Sequence, residues 1–152
     1  MIHGVSTKNL KKISDERGFL VEMLRDDDSF FEKFGQVYMT VCNPGYVKAW
    51  HSHKNQSDNF VVVRGTGRIG LYDCRDQSPT KGEVMEFVIG ENNPMLIFIP
   101  FGVAHGFEAV GEEPCYLINC VTQHYNYKSP DEQRIDPFKN NIPFKWNSKK
   151  GD

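Results

Sequence analysis

The chain is divided into short extended runs. FLVEML (19–24), QVYMTVCN (36–43), NFVVVRG (59–65), RIGLYD (68–73), VMEFVIG (84–90), MLIFIP (95–100), HGFEAV (105–110) and CYLINCVTQ (115–123) are rich in Val, Ile, Phe and Tyr. Gly, Pro, Asn or Asp separate them, the pattern of a β-sandwich or barrel. NPGY at 43–46, GTG at 65–67 and PFG at 100–102 are turn signals, because Pro presets φ and Gly permits positive φ. Eight or more strands in 152 residues predict an all-β fold of two antiparallel sheets, a jelly roll. One short helix is predicted at 28–35, with Asp28 or Ser29 as cap, Phe30, Phe31 and Phe34 on one side and Gly35 as stop. The acidic run Asp26–Asp28 reads as a solvated loop leading into it. From Lys128 the chain turns polar, which predicts a C-terminal segment laid over the outside.

The length suits one domain over residues 1–152, large enough to bury roughly 70% of the surface the unfolded chain exposes. Eighteen basic residues stand against 20 acidic ones, for a net charge of −2. That balance argues against nucleic acid or an anionic membrane as a bulk partner. The N-terminus MIHGVSTKNLKK lacks the apolar core of a signal peptide, and no apolar run approaches a membrane span. Cys42, Cys74, Cys115 and Cys120 show no CxxC or zinc-ribbon spacing and read as reduced core thiols of a cytoplasmic protein.

Two of the five histidines stand together in AWHSHKNQSDNFVVVRG (49–65). On a strand, residues i and i+2 share a face, so His51 and His53 aim into one space. They could serve as metal ligands, as acid/base groups on a substrate, or stand exposed without a role. Asp58 lies in the polar run KNQSDN, which by itself fits an exposed carboxylate.

Gly45, His51, His53, Asp58 and Gly65 follow the spacing of the first motif of the cupin superfamily, and Pro100, Gly102 and His105 match part of the second. A narrower resemblance covers nearly the whole chain. DERGFLVE (15–22), CRDQSPTKG (74–82), IPFGVAHGF (99–107), Thr122–Tyr125, Asp136-Pro137 and IPFKW are similar to segments of the dTDP-4-dehydrorhamnose 3,5-epimerase family. This resemblance implies a cupin jelly roll, a homodimer, and a nucleotide-linked 4-keto-6-deoxy sugar as substrate. It also implies catalysis without a cofactor. A ketone at C4 acidifies the hydrogens on C3 and C5; a base removes one, placed donors stabilise the enolate, and an acid returns a proton to the opposite face.

Position by position, the resemblance makes His51 the base. It puts Lys48 at a ligand-contacting Arg and His105 in the sugar pocket. Arg17 and Glu22 match residues that reach a neighbouring subunit's nucleotide. The family's enolate-stabilising Lys falls at Asn59 and its acid Tyr at Asn119, and an Asn cannot deliver a proton as a phenol does. His53, His124, Tyr125 and Tyr127 are the candidate replacement acids. The family's Asp partner of the base comes from a C-terminal segment with no expected counterpart here. His53 stands where the epimerases have Gln, so the HxH stretch resembles that of sugar 3,4-ketoisomerases. Two further readings stay open. One is a metal-dependent cupin with His51, His53, Asp58 and His105 as ligands; the other is a non-catalytic nucleotide-sugar-binding cupin.

Overall fold

The computed structural model describes residues 1–151. In chain order the strands are β1 (Ser6–Asn9), β2 (Lys12–Asp15), β3 (Gly18–Val21), β4 (Gln36–Cys42), β5 (Tyr46–Ser52), β6 (Asp58–Arg64) and β7 (Thr66–Asp73). They continue as β8 (Val84–Gly90), β9 (Met95–Ile99), β10 (Val103–Ala109), β11 (Cys115–Val121), β12 (Gln133–Arg134) and β13 (Lys150–Gly151). One antiparallel sheet has the order β1-β9-β6-β11-β4. The other runs β12-β5-β10-β7-β8, with β13 joined parallel to β5. This is the expected jelly roll. β2 and β3 pair only with each other as a hairpin.

Strand alternation builds the core. Phe60 and Val62 of β6, Ile97 and Ile99 of β9 and Leu117 of β11 meet Ile69 and Leu71 of β7 and Phe107 of β10 between the sheets. The opposite side of the first sheet is also covered: Val61, Leu96 and Phe98 pack with Leu10, Val21, Met23, Leu24 and Phe30. Burial on both faces explains why NFVVVRG reads as a continuous apolar run rather than an alternating one. The outer side of the second sheet is covered by the C-terminal segment, with Phe144 and Trp146 against Trp50. Glu108 clasps that segment, accepting from the backbone N–H groups of Asn147 (3.1 Å) and Ser148 (2.8 Å) and pairing with Arg68 at 2.7 Å.

The expected helix is absent; among the described residues there is none, and so none long and apolar enough to cross a membrane. Residues 28–30 form a bend and turn, and 31–35 run without regular structure. Asp28 does not face solvent as a cap but is bonded by Lys8 of β1 at 2.7 and 2.8 Å and by the Arg25 N–H at 2.9 Å. Phe30 leaves toward Phe98 (ring centroids 5.7 Å), and the Gly35 N–H is already paired to the Val121 carbonyl at 2.8 Å. Eight residues held at both ends by sheet contacts offer too few helical bonds to offset nucleation.

The CRDQSPTKG segment folds around the fully buried carboxyl of Asp73, at the end of β7. Arg75 donates to it at 2.8 and 2.9 Å, and the Ser78 and Thr80 hydroxyls also donate, Thr80 at 2.7 Å. Burial opposes the charge, but these bonds outweigh it and hold the carboxyl well below the usual carboxylate range. A depressed carboxyl adds stability above its unfolded value of about 3.9, and that stability fades as pH falls toward its folded value. Asp73→Asn is therefore expected to lower the midpoint of thermal unfolding at pH 7 by roughly 5–10 °C. Calorimetry down to pH 3 should show the gap narrowing below about pH 4; a gap constant with pH would contradict this assignment.

Candidate active site

β5 and β10 are neighbours, and His51 pairs in register with His105. Directly after that pair the register shifts by a bulge, and β10 carries Gly106, where an added Cβ would lie 2.2 Å from the Cβ of Ala49. Only glycine fits this approach, which accounts for the AHG segment. The Gly102 turn (φ +82°) precedes β10, and its N–H donates to the His53 carbonyl at 2.7 Å. Three imidazoles thus gather, with ring centroids of His51 and His53 6.4 and 5.5 Å from that of His105.

They border a cavity of about 270 Å³. Lys48, His51 and His105 line it from the second sheet, His53 from the loop after β5, Tyr38, Thr40 and Phe60 from the first sheet, and Glu132 and Arg134 from the C-terminal segment. Lys48 donates to the Thr40 hydroxyl at 2.9 Å. An adjoining cavity of about 240 Å³ shares Tyr38, His53 and Glu132 and adds Gln36, His124, Tyr125 and Tyr127.

Each histidine has its Nδ1 engaged. His51 Nδ1 lies 2.9 Å from Glu132 Oε1. A carboxylate only accepts, so Nδ1 carries the proton and Nε2 a lone pair. Burial lowers the His51 pKa and outweighs the opposing pull of Glu132. Burial also works on Glu132, but Arg134, donating at 2.9 Å, and His51 hold it below the usual range. His105 Nδ1 donates to the Val103 carbonyl at 3.1 Å, and burial pushes its pKa down to about 4. His53 Nδ1 donates to the Asp131 carbonyl.

Asp58, expected to face solvent, is 1% exposed. Its Oδ1 accepts from Gln56 Nε2 (3.0 Å) and Asn119 Nδ2 (2.8 Å). Its Oδ2 lies 3.9 Å from Nε2 of both His53 and His105. Ligand atoms of these three residues lie within 4.8 Å of one another, the set that could hold a metal ion. His51, included in the sequence-based ligand set, is not part of this cluster.

The other expected residues divide. Asn119 is buried against the site: it donates to Tyr38 Oη (2.9 Å) and Asp58, and accepts from the Asn59 N–H at 3.0 Å. Asn59 is not brought to the cavity. Its side chain donates to the Cys120 carbonyl at 2.9 Å, and alternation along β6 points Asp58 inward in its place. Tyr125 stands in the adjoining cavity, its ring 4.9 Å from that of Tyr127. Arg17 and Glu22 lie at the hairpin, paired with Asp15 and Arg25 rather than with any cavity residue.

Tyr38, Thr40, Glu132 and Arg134 were not anticipated. Glu132 occupies the place expected to be empty, since the polar tail returns to the site as β12, pairing Arg134 with His51 in register. The one available signal for it was a carboxylate in the SPDEQRI run. For Tyr38 the signal was its alternation with Gln36 and Thr40 along an otherwise apolar strand.

A jelly roll that gathers three imidazoles and a lysine at one cavity between its sheets is a cupin-type fold with a candidate active site. The chain belongs to the dTDP-4-dehydrorhamnose 3,5-epimerase family, whose model matches residues 1–152. It is 45% identical over 148 residues to the spore coat polysaccharide biosynthesis protein SpsL of Bacillus subtilis (strain 168), with 97% of this chain and 98% of that protein covered. It is 44% identical over 149 residues to a Haloferax volcanii protein named "Probable low-salt glycan biosynthesis epimerase Agl13", covering 97% and 96%. Among solved structures, a dTDP sugar isomerase from Desulfovibrio desulfuricans G20 superposes with a TM-score of 0.88 at 33% identity, covering 95% of this chain and 92% of that one.

Proposed function

We propose that this protein is an epimerase of a nucleoside-diphosphate-linked 4-keto-6-deoxy sugar, inverting C3, C5 or both through an enolate. The observation that carries this reading is the His51–Glu132 pair at the cavity wall. Glu132 fixes the Nδ1–H tautomer, leaving Nε2 as the base and stabilising the imidazolium once it forms. Lys48 and Arg134 are cations lining the cavity, suited to the enolate oxygen and the diphosphate. His105 and His53 shape the sugar pocket. The four cysteines, free in the structure, fit a cytoplasmic location.

Arg17 and Glu22 would serve the nucleotide end of a second copy. The hairpin carrying them leaves Ile13, Phe19 and Leu20 more than half exposed, apolar surface that a homodimer would cover. Light scattering after gel filtration should then give twice the 17.5 kDa chain mass. A monomer at micromolar concentration would count against this part of the reading.

The main test is deuterium exchange. With dTDP-4-keto-6-deoxyglucose in D₂O, NMR should show deuterium entering at C3 or C5. His51→Ala should slow that exchange by about 10²–10⁴-fold, and Glu132→Gln by about tenfold or more. Folded wild type that binds the sugar nucleotide without exchange would instead favour the binding-module reading.

A second reading is favoured by one observation, the convergence of His53 Nε2, His105 Nε2 and Asp58 Oδ2. Both imidazoles turn Nε2 toward the Asp58 carboxyl oxygen that accepts no hydrogen bond among the described residues, an arrangement suited to a divalent transition metal. It predicts about one equivalent of metal by elemental analysis, lost in Asp58→Asn. Protein carrying no metal, with exchange unaffected by chelator, would exclude it.

A further inference from the structure

Inverting a carbon requires a proton donor on the face opposite the base. The group at the strand position where the family resemblance puts its acid tyrosine is Asn119, and its amide is fully engaged. Both N–H groups are given away, to Tyr38 Oη and Asp58 Oδ1, and its oxygen accepts from the Asn59 backbone. Asn119 therefore has no N–H left to offer a substrate, and an amide carries no proton to deliver. Its cross-strand partner is Tyr38, directly opposite it in the β4–β11 register. Paired residues on adjacent strands turn their side chains to the same face, so a phenol on β4 stands beside the place a phenol on β11 would occupy.

We propose that Tyr38 is the catalytic acid that completes the inversion begun by His51, an inference that rests on the epimerase reading above. Three features support it. Tyr38 reaches the cavity from the first sheet and His51 from the second, so a sugar ring between the sheets meets them on opposite faces. The phenol oxygen accepts the Asn119 hydrogen bond, which leaves its own hydrogen uncommitted among the described residues and free for the cavity. Tyr38 is also 40% exposed, so a ligand can reach it, whereas Tyr125 lines only the adjoining cavity. Burial and the nearby Asp58 carboxyl push the phenol up to about 12, keeping it protonated while it waits.

The step balances without another reactant. His51 Nε2 takes the proton from the carbon beside the C4 ketone, and the C–H electron pair forms the enolate. The enolate carbon then takes the Tyr38 O–H proton on its other face, which regenerates the ketone with inverted configuration and leaves a phenolate. Proton return from the His51 imidazolium to the phenolate through solvent resets the enzyme. Asn119 acts here as a positioning residue.

The test is Tyr38→Phe, which keeps the ring and removes the proton, assayed in D₂O with dTDP-4-keto-6-deoxyglucose and followed by NMR. The variant should still incorporate deuterium at the carbon that His51 deprotonates, with configuration retained, while forming the epimer about 10²-fold or more slowly. Its unfolding midpoint, measured alongside, shows that the fold survives. Epimer formation within about threefold of wild type would overturn the proposal, as would equal loss of exchange and inversion in a folded variant. Wild type that shows no exchange would instead defeat the epimerase reading itself, which separates the two failures. Asn119→Ala, which frees the phenol from its anchor, should likewise depress inversion more than exchange; the reverse order would also overturn it.

Discussion

The site depends on the close approach of β10 to β5. These strands carry His105 and His51 as a cross-strand pair, and His53 directly follows β5, tied by its carbonyl to the Gly102 turn before β10. The approach is possible because Gly106 presents no side chain where Ala49 and the Lys48 carbonyl crowd against it. A methyl group there would displace one strand from the other and dissolve the cluster that faces the cavity. The bulge beside Gly106 then lets Phe107 turn back into the core, where its ring lies 6.4 Å from that of Phe60. One glycine thus serves both the packing between the sheets and the aim of the catalytic candidates.

Much of this was legible in the sequence, for definite reasons. β-branched runs broken by turn residues place the strands, because alternation and turn chemistry are local properties. The HxH spacing and the AHG segment gave the cluster, because i and i+2 on a strand share a face whatever the tertiary context. What failed to show were relations between distant segments. The residue at a strand's start is ambiguous by one position, and a one-residue shift separates Asp58, turned between the sheets, from Asn59, buried on the opposite face. Glu132 lies in a polar run without periodicity, so nothing local announces that the tail returns as a strand. Three phenylalanines near a good cap resemble a helix, yet the packing of Phe30 on Phe98 and the Lys8–Asp28 pair claim that segment for the sheet's outer face.

The SPT segment, one of those that carry the family resemblance, serves structure. Its hydroxyls and Arg75 surround Asp73 in a turn between β7 and β8. That network also ties the turn to the N-terminus, since Arg75 donates to the His3 carbonyl at 2.7 Å and the His3 N–H to Thr80 at 2.9 Å. A segment can therefore be strongly patterned because a buried charge needs every one of its donors.

The C-terminal segment links stability to chemistry. β12 contributes only two residues to the sheet, and a strand so short holds little by itself. Contacts on either side keep it in place. Upstream, the Asp131 carboxyl accepts from the backbone N–H groups of Lys54 (2.9 Å) and Asn55 (2.8 Å). Downstream, Ile135 and Trp50 exchange backbone hydrogen bonds at 3.0 Å each way, and Phe144 and Trp146 cover Trp50. Glu132 sits between these anchors, so the orientation of His51 depends on aromatic packing on the far side of the same strand. Loosening that packing should release the carboxylate from the imidazole before it unfolds the sheets, because locally anchored elements open at lower free energy than the core they cover.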